Sequence, residues 1–462
     1  MHLILYRNDI EKSTFMKRLV FRLLAITTII IAPLTLNAQD PSTSSTALHL
    51  TLDQALEIAL SENNTIKIAD MTVEKTGYAR KGSYAALYPN INISGSYQRT
   101  LLKQVMVMEM PNPITGETQT AEIKMGRDNN INTSASASMP IVNAQLWESL
   151  KLSGLDVELA VEQARSSKIA MVKQVKQAFY AVLLAEKSLD VVTNVYDNAQ
   201  KNYEKTLQRF NVGKASEVER LRAQVTMMNA EPNVSSAENA VLLATWQLKA
   251  VMGIDLNTEV EVVGNLDDYT TQLLSPYISE EDLSKNSSLL QLGIQGRMLE
   301  STIRMQKKQY IPTLAANINY NYNAMGDDEL RWFPSSTAAI SLSIPIFDGL
   351  QKHYNIKQSK INKNMLDLQR EDTERNLRVA IRNYNDQMAL CIKNYQAADA
   401  TVGIAQKSYD ISEKMYEVGK ATMVELNDAQ VSLMQAQLTQ AQAVYNFMVA
   451  KASLDELIGK EE

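Results

Sequence analysis

Cysteine and histidine are almost missing from this chain, which has one Cys and three His in 462 residues. The single thiol, Cys391, has no partner for an intramolecular disulfide, and its place in an apolar helical stripe makes it a buried small hydrophobe. Beyond the first 38 residues only His49 and His353 remain. A histidine-rich metal site or a Ser-His-Asp arrangement therefore lacks its side chains, no cofactor is expected, and an enzyme is disfavoured. Positive charge is also in the minority: 46 Lys and Arg against 52 Asp and Glu leave a net charge of −6. That balance argues against nucleic acid as a partner. No stretch after residue 38 reaches the ~18 consecutive apolar residues of a membrane-spanning helix. Strands could still span a membrane.

Residues 1–38 read as a cleaved export signal. Arg7, Lys12, Lys17, Arg18 and Arg22 precede an apolar run from Leu23 to Leu36, which ends in Leu36-Asn37-Ala38. Met16-Lys17-Arg18 has the form of a signal start, so Met1 and Met16 are both candidate first residues. Removal subtracts five positive and two negative charges and takes the net charge from −6 to −9.

The rest is dominated by two long helical patterns. Met171, Val175, Ala178, Val182, Ala185, Leu189, Val192, Tyr196, Ala199, Tyr203, Thr206 and Phe210 form a seam with heptad spacing. A second seam lies 206 positions on, from Leu377, Ile381, Tyr384, Met388 and Cys391 to Tyr409, Ser412 and Tyr416. The polar exception falls at the same place in both, Thr206 and Ser412, which marks an internal repeat. Each long helix ends in a glycine turn, Val212-Gly213-Lys214-Ala215 or Val418-Gly419-Lys420-Ala421. A capping box, Ser216 with Glu219 or Thr422 with Glu425, starts each returning helix.

Ahead of each long helix the period changes to two. Ile91, Ile93, Gly95 and Tyr97 alternate with Asn and Ser; after a Pro- and Gly-containing loop, Ile131, Thr133, Ala135, Ala137 and Met139 do the same. The second copy repeats this with Ala316, Ile318, Tyr320 and Tyr322, then Ala338, Ile340, Leu342 and Ile344. Four strands of about ten residues, apolar on one face and Asn/Ser on the other, have the dyad pattern of an outer-membrane barrel wall. Four strands cannot close in lipid, so several copies must share one barrel. The division expected is 39–256 for the first repeat, 257–283 for a linker with a short strand near Val260, and 284–462 for the second repeat. The strand pairs fall near 89–142 and 312–347. Asp327-Asp328 reads as solvated loop acid, and the 21 methionines as core filling.

These features together resemble the TolC-like outer membrane efflux proteins, through the two repeats, the Pro345-Ile346-Phe347-Asp348-Gly349 element and the duplicated turns after Phe210 and Tyr416. The resemblance implies a mixed α and β fold: a homotrimer with a twelve-stranded β-barrel in the outer membrane, four strands per protomer, continued by a periplasmic α-helical barrel. It implies a passive exit duct for a tripartite efflux or type I secretion system, with a periplasmic adaptor and an inner-membrane pump of RND, ABC or MFS type as partners. The adaptor-docking tips would be Val212, Gly213, Lys214, Ala215, Ser216 and Val418, Gly419, Lys420, Ala421, Thr422. An acidic constriction would use Glu425 and Asp428, three apart on one helix face, with Glu219 as a third contributor. Ala421 stands where the family carries a basic residue that locks the closed state. A periplasmic coiled-coil structural or adaptor-like protein is the alternative.

Overall fold

The computed structural model describes residues 48–111, 118–274 and 282–461. The leader expected over 1–38 lies outside these residues. The chain opens with β1 (Leu48–Leu50), α1 (Leu52–Glu62) and α2 (Asn64–Ser83), then β2 (Asn90–Arg99), β3 (Gln104–Pro111), β4 (Thr118–Met125) and β5 (Asn129–Val142). The helices α3 (Ala144–Asn211) and α4 (Glu217–Met252) complete the first copy. Next come β6 (Val260–Val262), α5 (Thr270–Leu274) and α6 (Ser287–Lys308). The second copy ends with β7 (Thr313–Gly326), β8 (Arg331–Ser343), α7 (Gln351–Glu417) and α8 (Met423–Ile458).

The principal sheet is antiparallel with strand order β2-β5-β7-β8, so the two halves of the chain meet at β5 and β7. Its register stacks like on like: Ile91, Ala137, Ile318 and Ala338 form one row, Ser94, Ser134, Asn321 and Ser335 another. Ser94 Oγ and Ser134 Oγ lie 2.7 Å apart. The apolar rows stay outside: Ile93 is 79 % exposed and Ile340 72 %. Both edges, β2 and β8, pair with nothing further among the described residues. The expected loop after β2 is instead an additional hairpin, β3 with β4, forming its own two-stranded sheet. The short strand near Val260 is present, and its parallel partner is β1.

Every residue of both seams is buried or half-buried. Cys391 is half-buried rather than enclosed, and it packs on the edge of the core around Phe179, Leu183, Ile381 and Phe447. The returning helices α4 and α8 are each 36 residues against 68 for α3 and 67 for α7, so they stop part-way. A second helix then takes over, and the same clasp holds both changeovers. Asn63 caps α2 through Thr65 N and donates its Nδ2 to Val251 O, 2.7 Å, at the end of α4. Asn286 caps α6 through Leu289 N and donates to Leu457 O, 2.7 Å, at the end of α8. Gly253 and Gly459 end α4 and α8 in left-handed geometry beside these asparagines.

Between sheet and helices, Glu148 near the start of α3 is 1 % exposed. Its carboxylate accepts from Ser301 Oγ at 3.1 Å, Arg304 Nε at 2.8 Å and Lys308 Nζ at 2.6 Å, all on α6. Burial pushes this carboxyl up, and the three donors together outweigh burial and bring it down to about 2. A depressed folded value contributes stability that is complete above the unfolded carboxyl's range and is lost as pH falls toward 2. Glu148→Gln should therefore lower resistance to urea by about 3 kcal/mol at pH 7, with the gap to the parent closing between about pH 4.5 and 2. A gap that does not change with pH would show that the carboxylate's charge is not what holds this junction.

Candidate functional site

At ~1.5 Å per residue α3 and α7 are each about 100 Å long, and both end in glycine turns. Gly213 and Gly419 have φ of 72° and 73°. Gly213 N donates to Phe210 O and Lys214 N to Arg209 O; in the second turn Gly419 N donates to Tyr416 O and Lys420 N to Met415 O. The turns leave apolar side chains outward: Val212 and Val418 are 68 % and 67 % exposed. Lys214, Ser216, Lys420 and Thr422 are exposed as well, while Ala215 and Ala421 are half-buried.

Both capping boxes form. Glu219 Oε2 accepts from Ser216 N at 2.7 Å, and Glu425 Oε2 accepts from Thr422 N at 2.7 Å. These bonds, the backbone one first, hold the Glu425 carboxyl below its ordinary range. Asp428 lies one turn further along the same helix, exposed, and caps nothing. Glu425 and Asp428 thus share one face of α8, while Glu219 belongs to α4.

The structure adds contacts between the two hairpins that local patterns did not reveal. Thr206 Oγ1 and Tyr416 OH lie 3.0 Å apart, buried, and Thr206 Oγ1 also donates to Asn202 O. The polar exception in the first seam is therefore the partner of a tyrosine in the second. Lys205 Nζ reaches Glu417 Oε1 at 2.8 Å; that bond raises the Lys205 ammonium and lowers the Glu417 carboxyl from their ordinary values. The Arg209 guanidinium sits over the Tyr416 ring, 5.9 Å from its centre. Tyr409, Tyr416, Met423, Leu426, Ala429 and Ala223 form a small core beneath the turns. Beside it the starts of α4 and α8 frame a groove lined by Val218, Leu221, Val225, Met423 and Val424. The spacing of Val218, Leu221 and Val225 along α4 is the sequence signal for this groove.

Such an arrangement, an open sheet with oily rows joined to very long paired helices, has close counterparts. Residues 55–254 and 278–460 match the family described as outer membrane efflux protein. The chain belongs to the outer membrane efflux protein family. Outer membrane protein TolC of Escherichia coli (strain K12) is 26 % identical over 366 residues, covering 72 % of this chain and 71 % of TolC. The alkaline protease secretion protein AprF of Pseudomonas aeruginosa is 20 % identical over 351 residues, covering 74 % of this chain and 72 % of AprF. The crystal structure of the Campylobacter jejuni CmeC outer membrane channel superposes with a TM-score of 0.70 at 16 % identity, over 88 % of this chain and 85 % of CmeC. As an outer membrane efflux protein it is an exit duct for efflux or secretion, with its helices on the periplasmic side. None of its helices, among the described residues, is long and apolar enough to cross a membrane.

Proposed function

We propose that three copies of this outer membrane efflux protein close one twelve-stranded barrel and one helical duct, which passively conducts cargo delivered by an inner-membrane pump through a periplasmic adaptor. The observation that carries this is the sheet's two unpaired edges beside exposed apolar rows. In lipid every backbone N–H and C=O must find a partner within the protein, so β2 of one copy has to pair with β8 of the next. Three copies are the smallest closure that leaves a lumen for the Asn and Ser rows. The division expected along the chain follows the same plan, with 39–256 and 284–462 as the two duct repeats and 257–283 at the equator. A soluble periplasmic adaptor-like coiled coil is disfavoured, because it gives the apolar strand faces nothing to rest against.

At the periplasmic end, Gly213 and Gly419 with their neighbours would meet the adaptor, and the apolar groove of Val218, Leu221 and Val424 offers the contact area. Glu219 and Glu425 already serve caps. Asp428 is therefore the principal constriction residue, three carboxylates meeting around the threefold axis, with Glu425 above them. With Ala421 in place of a basic residue, the closed tip is held by Thr206–Tyr416 and Lys205–Glu417 instead.

Planar-bilayer recording tests the constriction. Asp428→Asn should reduce cation preference by at least about fivefold, the share of a single unit charge about 4 Å from the ion in water. Unchanged selectivity would remove Asp428 from the pore.

A further inference from the structure

The outer end of the sheet, away from the helices, carries aromatic side chains on one face. Tyr97, Ile131, Ala324 and Trp332 are aligned across β2, β5, β7 and β8. Because cross-strand partners share a face, this row lies on the side of Ile91 and Ile340. Tyr322 stacks on Trp332 with ring centres 4.7 Å apart. Tyr97 is 61 % exposed, and its hydroxyl donates to Asn129 Oδ1 at 2.7 Å. Exposed Tyr and Trp at the border of an apolar band mark a membrane–water interface. From Trp332 to Leu342 the strand rises ten residues, about 34 Å along its length and about 25 Å of height at a tilt of ~40°, the apolar band of an outer-membrane barrel.

One positive charge stands just beyond that row. Arg99 ends β2 and is the register partner of Asn129, so it lies on the same face as Tyr97 and one pleat, about 7 Å, further from the helices. It is exposed and has no ion pair among the described residues. Its basic neighbours are taken. Lys103 Nζ bonds Asp327 Oδ1 at 2.8 Å and Asp128 Oδ1 at 2.9 Å, and Arg127 Nη1 bonds Asp327 Oδ2 at 2.7 Å. Asp327, expected as a solvated loop acid, is instead the hub that ties both roots of the β3–β4 hairpin to the β7–β8 turn. Between Arg99 and this anchor, Leu101 and Leu102 are each 91 % exposed. Asp328 and Glu329 lie in the β7–β8 turn, two strands from β2.

On the barrel reading above, we propose that Arg99, with Leu101 and Leu102, holds the phosphate-bearing headgroup of a lipid in the outer leaflet. Charge complementarity selects this occupant. A guanidinium at headgroup height, just outside a border of tyrosine and tryptophan, meets phosphate oxygens in the fork geometry that it bonds bidentately. Two leucines left in water expose apolar surface, whereas at the lipid boundary they reach acyl chains. Arg331 supplies the control. It carries the same charge at the same rim, but its row, with Met325, Asn130 and Gln98, is on the lumen side.

Native mass spectrometry of the full-length protein in detergent, titrated with lipid A carrying its phosphates or stripped of them, tests the contact. Arg99→Gln should weaken retention of the phosphorylated lipid about tenfold, the loss of one charge-assisted pair, and leave the phosphate-free lipid unchanged. Leu101→Ser with Leu102→Ser should weaken both lipids. Arg331→Gln should change neither. Parental retention in Arg99→Gln, or an equal loss in Arg331→Gln, would overturn the site. So would fewer assembled copies with unchanged lipid retention, which would give these residues to the neighbouring subunit instead. The same spectra count the copies, so a parent that carries no trimers would refute the barrel reading separately from the lipid contact.

Discussion

Gly459→Ala should keep the protein from reaching its folded, membrane-inserted form, while Gly419→Ala should fold. Both glycines have nearly the same backbone, φ 78° and 73°, so an added Cβ meets the same left-handed strain of about 1–2 kcal/mol at either site. Their surroundings differ. A Cβ on Gly459 would lie 2.2 Å from Lys285 O and 2.8 Å from Lys285 C, both backbone atoms; on Gly419 the nearest atom is Arg209 Nη2 at 3.9 Å. Relief at Gly459 means moving the strand of backbone that leads into Asn286, which breaks the clasp to Leu457 O and pulls at Arg165, bonded to both Lys285 O and Gly459 O. Losing cap, clasp and packing together puts the effect above about 4 kcal/mol. The readout is the yield of protease-resistant protein in outer membranes, and equal yields for the two variants would contradict the backbone clash. Larger residues at Gly213 and Gly419 extend the comparison: nothing lies within 4 Å of a Cβ on Gly213, so these variants should assemble yet fail to export. Normal export with both positions enlarged would refute docking through the turns.

The contrast also shows what a one-dimensional pattern can carry. The seams, capping boxes, left-handed glycines and principal strands were legible because each is set by residues within a few positions of one another, where helical or pleated spacing leaves its mark. The bond from Asn63 to Val251 spans 188 positions and leaves no local trace. Glu148 with Arg304 and Lys308 is of that kind, and so is the pairing of β1 with β6. The β3–β4 hairpin escaped notice for another reason. Period-two reading needs one apolar and one polar face, and on β3 methionine on one side and valine on the other erase the contrast, although β4 does alternate, Ile123 and Met125 against Glu122 and Lys124. At the tip, the residues of each turn were visible, whereas the Thr206 and Lys205 links join helices from different copies of the repeat. In the sequence Thr206 shows only as a polar exception in an apolar stripe, because its partner Tyr416 is 210 positions away.

That exception leads to the second large effect. Tyr416→Phe removes one hydroxyl from a buried pair and leaves the ring under Arg209 and the packing against Met423 and Leu426 in place. Thr206 keeps its bond to Asn202 O, so no polar group is stranded and the loss is that of one net hydrogen bond, about 1 kcal/mol. Alone this is modest. In the trimeric duct proposed above, three tips opening together would add these losses, and about 3 kcal/mol shifts the ratio of open to closed roughly a hundredfold. Single-channel recordings should then show the variant open far more of the time, with assembly and heat stability unchanged. The exposed Lys205–Glu417 bridge is screened by salt, so Tyr416→Phe should open further as ionic strength rises, and adding Lys205→Ala should abolish that salt dependence. If Tyr416→Phe gates like the parent at every ionic strength, the two hairpins are held together by packing alone, and the closed tip needs another explanation than these two links.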